Sequence, residues 1–192
     1  MKIFYILLFA IITILNGCAL SPQVVVINPD IEVNKTGTIS KAATIRLSVV
    51  DARGSVVIGQ RGGIYKDTSD ISTDERMAAS LERNVGAALK ALGYAVVSND
   101  EGASADLTVK ITSLTYVAHT EDLLDKIEVK ASIQAVCQKG SKQFTGGYNA
   151  TRKKDFVKVP SMEQNETIVN EAIGIALQAM LKDNDLMAFI DG

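Results

Sequence analysis

Between Ile127 and Cys137 apolar side chains fall on every second residue, through Val129, Ala131, Ile133 and Ala135. That period places all of them on one side of a pleated strand. The same alternation marks Ile45, Leu47 and Val49, and later Leu107, Val109 and Ile111. It slips at Thr112–Ser113 before resuming at Leu114 and Tyr116, which predicts a β-bulge. Short apolar runs at Val56–Ile58 and Tyr94–Val97 predict two further strands. After a turn at Lys139–Ser141, Phe144–Val159 predicts a return strand bent at Gly146–Gly147.

From Met77 the period changes. Met77, Leu81, Val85, Leu89 and Leu92 recur at spacings of three and four, the stripe of an amphipathic helix. Ser72 and Glu75 have capping-box spacing ahead of it, and Gly93 is placed to end it. A second helix is predicted over 161–182, with Ser161 and Gln164 spaced as a capping box. Its apolar face is Ile168, Val169, Ala172, Ile173, Ala176, Leu177 and Met180. Gly86 and Gly174 inside the helices permit close packing. Asp185–Ile190 predicts a short last helix. Strand, helix, several strands, helix is the order of an α+β fold. The expected architecture is a two-layer sandwich over 43–192: a mainly antiparallel sheet of about five strands with two main helices on one face.

The chain before that domain has a different pattern. Met1-Lys2 precedes an apolar run from Ile3 to Leu15. The run is about 13 residues long, whereas a membrane-spanning helix needs roughly 20. It fits the apolar region of a secretion signal over 1–17. Leu15, Asn16 and Gly17 then lead into Cys18, and this is similar to a lipobox. Small residues let the peptidase reach the bond before Cys18, and the Cys18 thiol accepts the diacylglyceryl group. Ala19 stands where an Asp would favour retention in the inner membrane, so sorting to the outer membrane is expected. Residues 18–42 read as the lipidated N-terminus and a tether, punctuated by Ser21-Pro22, Asn28-Pro29 and the polar turn Asn34–Thr38. Within it Val24–Ile27 is short and β-branched, and reads as an extended piece docked on the domain as an edge strand.

Composition narrows the function. Without the signal roughly 175 residues remain, enough for one domain with a sizeable core. The formal net charge of −2 becomes one unit more negative when Lys2 is removed, and no clustered basic surface asks for nucleic acid. The overall 47% hydrophobic content is raised by the signal and does not argue for a membrane-embedded domain. With Cys18 acylated, Cys137 stands alone, so no internal disulfide forms. Its place in an alternating strand makes it a small buried hydrophobe. Aromatic residues total 5% with no tryptophan, thin for a stacking or sugar-binding platform.

No candidate chemistry closes into a site. His119 is the single histidine, and a nucleophile–histidine–acid reading would join it to Ser113 or Ser132 and to Asp122 or Asp125. No nucleophile elbow surrounds either serine, and a polar histidine at a strand end is the preferred reading. His119, Glu121, Asp122 and Asp125 lack metal-ligand spacing and read as a solvated acidic loop. Gly59-x-x-Gly62-Gly63 lacks the lysine of a phosphate-binding loop, and leaves Arg61 as a contact point on a mobile turn. Arg152-Lys153-Lys154 reads as a charged guard on an edge strand in preference to a headgroup contact. Asn165-Glu166-Thr167 matches a glycosylation acceptor that has no meaning in a bacterial envelope protein. No cofactor, no metal and no enzymatic activity is expected.

The order of several segments resembles the YajG family of bacterial lipoproteins: the lipobox, the valine-rich piece before Asn28-Pro29, and the first strand ending in Asp51-x-Arg53. Further on it includes Leu92–Val96, Ala105–Ile111, Val169–Ala172 and Asp185–Ile190. The resemblance implies an outer-membrane lipoprotein facing the periplasm and brings no established activity; the one site it transfers is Cys18. The leading expectation is therefore a non-enzymatic accessory protein of the cell envelope, held to the membrane through Cys18 and acting by contact with other envelope proteins. The alternative is a binding module for a lipid, lipopolysaccharide or cell-wall fragment. A hydrolase with His119 as its candidate residue ranks third.

Overall fold

The computed structural model describes residues 21–33, 43–62, 69–97 and 102–192. The signal at 1–17, with Leu15, Asn16 and Gly17, lies outside the described residues, as do Cys18, the turn at Asn34–Thr38 and Gly63. Strands β1 (Gln23–Val25), β2 (Thr44–Asp51), β3 (Val57–Gln60) and β4 (Asp70–Thr73) come first, followed by helix α1 (Met77–Leu92). Strands β5 (Ala95–Val97), β6 (Ala105–Glu121), β7 (Leu124–Lys139) and β8 (Lys142–Phe156) follow. Helices α2 (Met162–Leu181) and α3 (Asn184–Asp191) complete the order.

The spine of the sheet is β6. One edge pairs antiparallel with β7 from Asp106↔Gln138 to Glu121↔Leu124, and β7 pairs antiparallel with β8 from Lys139↔Lys142 to Asp125↔Phe156. The other edge of β6 is shared by two strands. Alongside Ala105–Ile111 lies β2, alongside Tyr116–Val117 lies β3, and both run parallel to β6. The sheet therefore forks: β2 carries β5 in parallel, while β3 carries β4 antiparallel, and β4 carries β1 in parallel. At the fork the Ala52 N–H donates to the Ile111 carbonyl at 3.0 Å, the last bond before β2 departs.

The expected mainly antiparallel sheet of about five strands is overturned. The sheet has eight strands, and four of its junctions are parallel against three antiparallel. Alternation identifies a strand and its buried face but not its neighbour. Parallel neighbours require a crossover, and the passage through α1 between β2 and β5 supplies one. The second error concerns Ser72. It lies in β4, where Ile71 and Thr73 are buried, and its hydroxyl donates to the Gln23 carbonyl instead of capping a helix. Helix α1 starts at Met77 with no side-chain cap. Pairing with β1 and β3 outweighs the local capping signal.

The remaining signals act as their chemistry requires. The bulge falls between Ile111 and Ser113 opposite Ile133–Ser132, and the Thr112 hydroxyl donates to the Ser132 carbonyl at 3.1 Å. Leu107, Val109 and Ile111 before it, and Leu114 and Tyr116 after it, are all buried. The extra residue switches parity, so both halves of a long strand face one core. Ser161 and Gln164 complete their capping box, and Gly93 closes α1 at φ 107°. Helix α1 packs on β2 and β5, and α2 on β7, β8 and β1. The opposite face is polar, and on β8 its residues Thr145, Asn149, Thr151 and Lys153 are exposed.

Candidate functional site

The residues singled out for chemistry are dispersed. His119 is exposed and stands opposite Lys126, whereas Ser113 stands opposite Ser132. The two pairs are six positions apart along the strands, about 20 Å, so neither serine reaches the imidazole. Asp125 accepts from the Thr120 hydroxyl at 2.6 Å, and Glu121 pairs with Lys126 at 2.6 Å. Among the described residues no three His, Cys, Asp or Glu side chains gather into a metal site. Cys137 is fully buried, and burial, with Asp106 adding to it, pushes its thiol up to about 11.

Arg61 departs from the reading of a contact point on a mobile turn. Gly59 and Gln60 are strand residues of β3, and Arg61 is buried with its guanidinium donating to the Ser21 carbonyl. The glycine is needed because β3 presses on β6: a Cβ on Gly59 would stand 1.8 Å from the Tyr116 carbonyl oxygen. Asp51-x-Arg53 acquires a role at the fork. The Arg53 guanidinium grips both Asp51 carboxylate oxygens at 2.8 Å and the Thr73 hydroxyl at 2.8 Å. It thereby ties the end of β2 to β4, and its hydrogen bond holds the Asp51 carboxyl below its usual range.

The built feature of the molecule is the seat of its N-terminal segment. Val25 and Ile27 are buried, and the backbone around them is satisfied by side chains of α2 and α1. Val26 N–H donates to Glu166 at 3.1 Å, and Asn28 N–H to the Asn170 carboxamide oxygen at 2.8 Å. Asn170 returns a bond to the Val26 carbonyl at 2.9 Å. Asn84 donates to the Asn28 side chain and the Pro29 carbonyl, each at 3.0 Å. Gly174 lets the Asp30 carbonyl lie against the helix. A bidentate amide such as Asn170 mimics a neighbouring strand, which is how an extended segment lies on a helix without unpaired backbone groups. Of the expected edge strand at Val24–Ile27, Val24 and Val25 lie in β1 beside β4, while Val26 and Ile27 continue onto the helices, and the docking extends to residue 30.

Among the described residues two open surfaces bear on binding. The edge of β8 away from β7 meets no strand among the described residues. Arg152, Lys153 and Lys154 guard its last part, with Arg152 bonded to Glu171 at 2.5 Å and Lys153 to Glu128 at 2.7 Å. From Gln143 to Ala150 it carries no charge. A groove of about 690 Å³ runs along α2. Asp30, Glu32, Glu163, Glu166 and Glu171 line it against the single cation Arg152. Among the described residues no helix is long and apolar enough to cross a membrane.

Solved structures share the fold. A Xanthomonas campestris protein of the DUF330 family superposes with a TM-score of 0.54 at 12% identity, covering 83% of this chain and 92% of that one. A putative neuraminyllactose-binding hemagglutinin homolog from Helicobacter pylori gives 0.51 at 13% identity, covering 86% and 97%. At such identities the likeness is one of fold. No curated protein matches the sequence. A family model described as uncharacterized lipoprotein matches residues 29–191, from the docked segment through α3, and the chain belongs to that lipoprotein family.

Proposed function

We propose that this lipoprotein is a YajG-like, non-enzymatic accessory component of the bacterial envelope. In this reading its signal is removed at Gly17, Cys18 carries the lipid, and the domain faces the periplasm from the outer membrane. It acts by accepting a partner protein at the free edge of β8. The observation that carries this is the edge itself. β8 spans Lys142–Phe156, and an unpaired strand edge presents a row of N–H and C=O groups that a partner strand can satisfy. Basic residues, the usual protection against such pairing, stand at Lys142 and at Arg152–Lys154 and leave the stretch from Gln143 to Ala150 between them unguarded. A lipid anchor supports the same reading, since it confines the domain to a surface where weak contacts suffice.

The test is photo-crosslinking in intact cells, with a crosslinking residue at Thr145 or Asn149 on β8 and at Glu82 on α1 as control. Discrete adducts from β8 that vanish when Cys18→Ser is exported by a conventional signal support the proposal. Equal or absent adducts at both sites overturn it. The binding-module alternative would use the groove along α2, and its acidic lining disfavours phosphate-bearing lipid and lipopolysaccharide.

A further inference from the structure

The described chain enters at Ser21, toward the same end of the molecule as its most exposed apolar side chains. β1 is parallel to β4, β4 antiparallel to β3, and β3 parallel to β6. β1 therefore runs opposite to β6, and its leading end at Ser21 faces the β6–β7 turn. The Ser21 carbonyl is held by Arg61. Arg61 follows Gln60, which pairs with Val117, so Ser21 stands level with about Ala118. From that level Glu121 lies three residues further along β6, about 10 Å, and the turn residues Asp122 and Leu123 project beyond it. Cys18 lies three residues before Ser21, a reach of at most about 11 Å. A lipid on Cys18 is thus within chain reach of the plane of the hairpin tip.

The tip is apolar where it has no structural reason to be. Leu123 is 91% exposed and Val157 81%, while no other large apolar side chain among the described residues exceeds 51%. Val157 follows Phe156, which pairs with Asp125 two residues past Leu123, so the two belong to one patch. Val159 and Met162, both about half exposed, continue it toward the start of α2. Asp122 and Leu123 both have positive φ, 51° and 63°, as in the tight hairpin turn that favours Asn-Gly. A leucine there is strained and leaves its side chain in water, so the domain's own stability does not account for it. Charges around the tip are of both signs: Glu121, Asp122, Asp125 and Asp155 against Lys126, Lys154 and Lys158. A contact here depends on apolar insertion and not on anionic headgroups.

We propose that the Asp122–Leu123 hairpin tip, together with Val157 and Val159, inserts into the bilayer surface that carries the protein's own lipid. The contact seats the domain with its strands rising from the membrane and β8 open to the side. It rests on the reading of Cys18 as the lipidated residue.

The test uses the full lipidated protein in vesicles of phosphatidylethanolamine and phosphatidylcholine. An environment-sensitive fluorophore is attached in Val157→Cys, Leu123→Cys or, at the opposite end of the sheet, Ser141→Cys. With the protein floating with the vesicles, labels at 157 and 123 are expected to be quenched several-fold more by headgroup-proximal lipid quenchers than the label at 141. Leu123→Gly should raise the thermal midpoint, because it relieves the strained turn, and should at least halve the quenching at 157. Equal quenching at all three positions on floating vesicles overturns the contact while leaving the anchor intact. Unchanged quenching at 157 in Leu123→Gly overturns the role of the tip. Failure to float overturns the lipidation reading and the contact with it.

Discussion

The Tyr116 hydroxyl donates to the Asn165 carboxamide oxygen across 2.6 Å inside the core, and the Asn165 amide donates in turn to the Gln23 side chain at 2.8 Å. Three units are joined by those two bonds: the spine strand, the second main helix and the N-terminal segment. Asn165 is fully buried and Tyr116 nearly so, and burial pushes the Tyr116 hydroxyl well above its ordinary value, with Arg61 opposing. The hydroxyl therefore stays protonated and donates throughout the accessible pH range.

Removing the acceptor should cost more than removing the donor. Asn165→Ala leaves a buried hydroxyl unpaired and is expected to lower stability by about 2 kcal/mol, against about 1 kcal/mol for Tyr116→Phe. Urea unfolding measures both. The double variant should fall short of the sum, because the two residues share one bond. Amides of β1 should exchange faster in Asn165→Ala.

Two helix glycines should respond with opposite signs. A Cβ at Gly86 meets Leu47 at 3.6 Å, an ordinary contact, so Gly86→Ala gains helix propensity and should stabilise by up to about 1 kcal/mol. A Cβ at Gly174 would lie 2.9 Å from the Asp30 carbonyl oxygen. Gly174→Ala should then destabilise by about 1–2 kcal/mol and expose the chain near Asp30 to limited proteolysis. Thermal midpoints and cleavage rates report the two effects separately.

Acid should weaken the junction between β8 and α3. The Tyr148 hydroxyl donates to Asp183 at 2.6 Å, and that bond, with the backbone N–H groups of Asp185 and Leu186, holds the Asp183 carboxyl below the usual carboxylate range. A carboxyl depressed in the folded state stabilises fully above its unfolded value and loses that contribution as pH falls through its folded value. Unfolding midpoints taken from pH 6 down to pH 2 should drop, and Asp183→Asn should flatten the acid limb.

Cys137 should be inert in the folded protein. Its burial and raised thiol pKa leave almost no thiolate near neutrality. A thiol reagent at pH 8 should leave it untouched in the native state and modify it stoichiometrically in denaturant. Rapid native labelling would contradict the packing of β7 against the helices.

What was legible in the sequence is what each segment settles against the boundary between core and water. Alternation placed β2, β6 and β7, the three- and four-residue stripe placed α1 and α2, and a slip at Thr112–Ser113 announced the bulge. Ser161, Gln164 and Gly93 fulfilled their capping roles because those bonds close within a few residues. The seat of the N-terminal segment was legible only as the extended Val24–Ile27. Its partners Asn165, Glu166 and Asn170 are more than 130 residues away along the chain, and nothing local distinguishes them from solvent-facing helix positions.

Tertiary structure decided the rest. Whether Ser72 caps a helix or lies in a strand depends on β1 arriving beside it. Whether Arg61 meets solvent or the Ser21 carbonyl depends on the same segment. The parallel junctions of β2 and β3 with β6 depend on a crossover that no periodicity records. The sequence by itself determined the long elements and their buried faces, because side-chain solvation is a local property; the short β4 was not among them. Neighbours, fork and the seat of the N-terminal segment were decided by the tertiary structure, because hydrogen bonds between distant strands depend on which surfaces the whole chain can bury together.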